Sequence, residues 1–200
     1  MFSSRRTYSL TGWIIQPALR QSDVAIVAVF SALVVATDFA LAPFVSFKLL
    51  DTVVFMVSFV YGFKQGAAVA LVSETVWSVV SPWGTAGAIT PFLVGGELVF
   101  AFAGWGAAKI WRTDEKVVSP VTFFIGATLA ICAFFWDFET NAATALLWFG
   151  PGLNLPQLLA VEAAGFAFPI PLAHELADFA LGSLLAPASL LVMPRLRRRA

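Results

Sequence analysis

The chain has 200 residues, 60% of them hydrophobic and 12% charged, with a formal net charge of zero. A soluble domain carries about 25% charged residues to cover its surface, so a mean hydropathy of +0.86 argues against a cytosolic enzyme, a nucleic-acid binder or a secreted globule and for a chain that lives in a lipid bilayer. The single cysteine, Cys132, allows no internal disulfide and no cysteine metal cluster.

Residues 1–22 hold an apolar run before Pro17 that is too short for a signal peptide, and they read as a retained cytoplasmic segment. Apolar stretches follow at 23–44, 49–63, 65–81, 91–111, 118–149 and 170–193. A helical span needs about 20 apolar residues, and none of these stretches shows the strict alternation of a membrane β-barrel. The expected fold is therefore an all-α integral membrane protein with six transmembrane helices over 23–193, followed by a basic cytoplasmic tail at 194–200. The second stretch is short and must be tilted or buried. The fifth, at 1.5 Å per residue, would reach ~48 Å and project from the bilayer. Pro43, the Gly62 to Gly66 turn, the Ser81-Pro82-Trp83-Gly84 loop, the charged Arg112 to Lys116 loop and Gly150-Pro151-Gly152 separate the spans. Residues 154–169 read as an outer loop carrying a re-entrant or surface helix.

With both termini inside, six crossings leave Lys48 as the one lysine or arginine outside and put the other eleven in the cytoplasm, a strong positive-inside bias. The acids fall the opposite way. Asp38, Asp51, Glu74, Glu97, Asp137, Glu139, Glu162, Glu175 and Asp178 lie in the outer half or near mid-membrane, facing Lys48 and the single histidine, His174. Acids near a helix N-terminus are stabilised by unpaired amides and the helix dipole, which suffices to explain Asp51, Glu97, Glu175 and Asp178 as end charges. Asp38, Asp137 and Glu139 sit toward helix C-termini, and Glu74 near the middle of its span, so these four need a partner, a proton or a ligand.

Helical spacing places Glu74 with Trp77 and Ser78, Trp136 with Glu139 and Thr140, Asp137 with Asn141, and His174 with Asp178. A carboxylate beside a tryptophan face holds an amine or cationic ring by ion pairing and cation–π attraction, whereas Trp83, Trp111 and Trp148 fit an interfacial belt. In the first span Ala28, Ala32 and Ala36 form a stripe of small residues on which another helix can pack closely, within the protein or from a partner. Gly95, Gly96, Gly104 and Gly106 permit the same in the fourth. The chain has no phosphate-loop motif, no H-E-x-x-H and no Ser/His/Asp set in recognisable context, so it is not expected to be an enzyme.

Taken together, the six-span layout, the stripe AVFSALVVA, the run KLLDTVVFMVSFVYGFKQGAAVALVSETVWSVVSPWG, and DFETNAATALLWFG followed by PLAHELADFALGSLLAP resemble the substrate-binding S components of energy-coupling-factor (ECF) vitamin transporters over residues 23–193. The junction of the second and third spans, often Gly-Pro-x-x-Gly in that family, is Gly62-Phe-Lys-Gln-Gly66 here. The resemblance implies a protein of a prokaryotic cell membrane that captures a small molecule from outside and delivers it through a transmembrane T component and two cytoplasmic ATPase subunits. It places Ala28, Ala32 and Ala36 against the T component. Thiamine-binding members hold their cationic ligand with residues similar in kind to Glu74, Trp77, Trp136, Asn141 and His174. Together with Asp137 and Glu139, singled out above, these form the expected binding set for a cationic or amine-bearing vitamin or precursor. Metal-specific members carry an N-terminal histidine motif absent here, which disfavours nickel or cobalt as cargo. Neither a metal site nor a cofactor is expected. A self-sufficient proton- or cation-coupled carrier using Glu74, Asp137 and Glu139, and a structural subunit of a membrane complex, are the competing readings.

Overall fold

The computed structural model describes the backbone of residues 21–44, 46–110, 120–168, 170 and 172–197, and the side chains of these up to 185 except that of Pro120. The segment 1–20, the charged loop at 112–116 and the last tail residues, 198–200, lie outside the described residues, so the orientation drawn from their arginines and lysines is not addressed by them. Among the described residues every regular element is helical: α1 (Gln21–Leu41), α2 (Leu50–Tyr61), α3 (Phe63–Val80), α4 (Thr90–Ile110), α5 (Pro120–Phe149), α6 (Leu155–Ala167) and α7 (Ala173–Arg197), with single 3-10 turns at Gly87–Ile89 and Gly150–Gly152. Among the described residues three stretches, Gln21–Leu41, Gly87–Ile110 and Val121–Gly152, are long and apolar enough to cross a membrane.

The short second stretch becomes the centre of the bundle. Ten of the twelve α2 residues are buried, and α2 packs against α3, α4 and α7. Its length explains this: 12 residues rise only ~18 Å, so α2 contributes by filling the core, with Val54, Phe55 and Val57 fully enclosed. The helices that surround it approach closely where glycine removes a side chain. A Cβ on Gly104 of α4 would collide with the backbone carbonyl of Phe55, and one on Gly96 would collide with the Trp136 indole of α5. Phe100, Ile125 and Leu129 complete the dry part of the core.

α6 occupies the segment expected to carry a re-entrant or surface helix. Asn154 caps it: Gln157 N–H donates to the Asn154 side chain at 3.1 Å, and Asn154 N–H donates to Gln157 Oε1 at 3.0 Å. α1 buries only Ser31, Val34 and Asp38. Val29 and Leu33 face outward, as an apolar solvent permits.

Candidate functional site

Up-and-down connectivity gathers the acids at one end of the bundle. Asp38 lies near the end of α1, Asp51 at the start of α2, Glu74 and Trp77 late in α3, Glu97 in the second turn of α4, and His174, Glu175 and Asp178 in the first two turns of α7. Trp136 and Asp137 reach the same end from the middle of α5. Lys64 and Lys109 lie at the other end, where Gln65 Nε2 donates to Asp23 Oδ1 at 3.1 Å.

Each acid's surroundings follow from its helix. Asp38, opposed by the dipole of α1, meets the start of α2, where Leu49 N–H donates to its Oδ1 at 3.1 Å. Asp51 and Glu175 occupy first turns, so the end-charge account fits them. It does not fit Glu97, which is fully buried with neither oxygen accepting a hydrogen bond. Glu74 is also fully buried and accepts from Ser78 Oγ at 3.3 Å. Trp77 packs edge-on to Phe39 with ring centres 5.4 Å apart.

His174 links three helices. Its Nε2 is 3.1 Å from Asp51 Oδ2 on α2 and its Nδ1 is 3.1 Å from Asp137 Oδ1 on α5. With a carboxylate at each nitrogen, an imidazolium donates from both, and a neutral imidazole donates from one and keeps a lone pair on the other. The Trp136 ring stands perpendicular to the imidazole at 5.3 Å, its Nε1 donating to the Leu93 carbonyl at 3.3 Å. On the Trp136 face rests the Lys48 ammonium, 5.0 Å from the ring centre. Lys48 belongs to the connection between α1 and α2. Burial works against its charge, but Glu74, Asp51, Glu97 and Asp38 outweigh burial and hold its pKa above the ordinary lysine value.

A cavity of about 190 Å³ opens beside these groups, lined by Lys48, Trp136, Asp137, His174 and Glu175, with Ser46, Phe166 and Phe168 at its sides. Two non-glycine residues have left-handed backbone: Ser46, in the cavity lining, at φ 68°, and Leu172, just before α7, at φ 57°. Strain of this kind, of order 1–3 kcal/mol per residue, tends to collect at binding sites.

Of the residues expected from sequence, the cavity brings together Trp136, Asp137 and His174. Glu74 and Trp77 lie at the same end without lining it. Glu139 is half-buried, its carboxylate near Gly95 of α4, and Asn141 turns its amide onto Gly165 of α6. Sequence reasoning left Lys48 out of the expected binding set and treated Asp178, which lies beyond the first turn of α7, as an end charge. The signal was present: one lysine left among nine carboxylates has to serve as their counter-ion. Ala28, Ala32 and Ala36 are exposed on the outer face of α1, so the stripe is not used for packing within the described fold. Trp83 and Trp148 are exposed, in keeping with an interfacial belt. Compared with known proteins, the chain matches no family model, no curated protein and no solved structure.

Proposed function

We propose that this chain is the substrate-binding S subunit of an ECF-type importer in a prokaryotic cell membrane, with six membrane-crossing helices and both termini inside, and that it captures a small cationic or amine-bearing vitamin or precursor. The observation that carries the ligand class is the Lys48 ammonium on the Trp136 face, surrounded by carboxylates. The site already stabilises one positive nitrogen beside a cavity, and a ligand's amine or cationic ring can take the same place. The exposed Ala28, Ala32 and Ala36 supply a surface for a partner helix of the T component, and ATP hydrolysis then belongs to two separate cytoplasmic subunits. Calorimetry of the purified chain against thiamine, its pyrimidine and thiazole precursors and pyridoxamine tests the ligand class. Binding of a neutral or anionic vitamin in place of all of these overturns it.

The buried Glu74 Oε2 and both oxygens of Glu97, none of them accepting a hydrogen bond, favour one second reading, a self-sufficient proton- or cation-coupled carrier. Reconstitution decides between them. Uptake driven by a proton gradient in liposomes holding this chain alone favours the carrier, and a requirement for added T and ATPase subunits favours the S subunit.

A further inference from the structure

The acid-rich end holds more negative groups than its cations can pair. Asp38, Asp51, Glu74, Glu97, Asp137, Glu175 and Asp178 share Lys48 and His174. Asp178 is the most conspicuous of them. It is 1% exposed, neither of its oxygens accepts a hydrogen bond, and it faces the Asp51 carboxylate. One Asp178 oxygen, one Asp51 oxygen and one ring nitrogen of His174 lie within 4.8 Å of one another, all three residues being buried. Donors on a cation bound at about 2.0–2.2 Å stand at most about 4.4 Å apart, so small side-chain rotations bring these three onto one ion. The far side of the imidazole is already arranged for it. With Nε2 toward Asp51, Nδ1 faces Asp137 at 3.1 Å, the carboxylate–histidine relation that fixes the tautomer and orientation of a ligating imidazole. Access is provided by the neighbouring cavity, which His174 and Asp137 both line.

We infer that Asp51, His174 and Asp178 form a binding site for a first-row divalent cation, resident beneath the cavity and balancing the buried carboxylates. An imidazole nitrogen with two carboxylates suits Mn2+ or Zn2+ better than Mg2+ or Ca2+, which take oxygen donors. This site is independent of the transport reading above: it predicts metal in the protein whether or not an organic ligand or an ATPase partner is found.

The test uses the full chain with any affinity tag removed, stripped with chelator and titrated with Mn2+ and with Zn2+ while bound metal is counted by mass spectrometry. One equivalent is expected, at least tenfold tighter than Mg2+ or Ca2+. Asp178→Asn keeps the side-chain shape and is expected to weaken binding at least tenfold. Asp137→Asn, which removes the support of the imidazole and leaves the three donors in place, should weaken it by about 10- to 100-fold, while Glu162→Gln on α6 leaves it unchanged. Absence of stoichiometric binding, equal affinity for Mg2+, or an Asp178→Asn protein that elutes as a single species and binds Mn2+ as the parent does overturns the site.

Discussion

The two ends of this bundle are built by opposite rules. Around Phe55, Phe100, Ile125 and Leu129 the helices meet through apolar side chains and bare glycines, Gly104 against Phe55 and Gly182 against Leu129. Around His174 the same helices hold carboxylates whose oxygens lack donors, although buried polar groups in proteins are almost always satisfied. One end therefore sets stability, and the other spends some of it on holding charge in place.

The largest effect should come from the dry end. Gly104→Leu drives a side chain into the Phe55 carbonyl, and overpacking of this kind costs about 3 kcal/mol or more. Thermal unfolding in detergent is expected to show it, with little properly folded protein recovered. At the charged end, Asp137→Asn removes a cavity carboxylate, and affinity for a cationic amine should drop by ~1.5–3 kcal/mol, the scale of a charge-assisted hydrogen bond. The melting temperature should move far less than in the glycine variant; a collapse of both together would erase the contrast between the ends. Lys48→Met empties the face of Trp136, so calorimetry should find a cationic ligand bound more tightly by about 1 kcal/mol. Glu74→Gln acts from behind the cavity, its carboxylate fully buried and held by Ser78, and should cost less than the Asp137 change, about 0.5–1.5 kcal/mol. Smallest of all for the ligand is Ala32→Trp. On the outer face of α1 it should leave affinity within about twofold, ~0.4 kcal/mol, while co-purification with the proposed T component should be lost.

The helices were legible from the sequence because hydropathy in a bilayer is a long-range signal: α1, α3, α4 and α5 begin and end within a few residues of the apolar stretches, broken at Gly62, Ser81 and Gly150. The reading that the second stretch is tilted or buried followed from its length alone, and of the two the structure shows burial. The site was legible only in part. Periodicity relates residues on one helix, so Glu74 with Trp77 was readable, but Asp51, Asp137 and His174 come from α2, α5 and α7, with up to 123 positions between them. No local pattern reports such a meeting. End-charge reasoning placed Asp51 and Glu175 well and failed for Glu97, seven residues beyond the start of α4, where the dipole of the first turn no longer reaches.

The unequal lengths of α2 and α5 have a consequence for the lipid. A 30-residue α5 rises ~45 Å and a 12-residue α2 ~18 Å, against a hydrocarbon layer of ~30 Å. Lipid beside the long helix is asked to thicken or let it lean, with each ångström of mismatch costing a fraction of a kcal/mol, whereas α2, ten of its twelve residues buried among other helices, makes no such demand. In a bilayer, a helix of the length of α5 would take an angle to the normal set jointly by its packing against α4, α6 and α7 and by the lipid. The protein's tilt then depends in part on acyl-chain length, so its motion in the membrane should respond to the lipids around it as well as to what it binds.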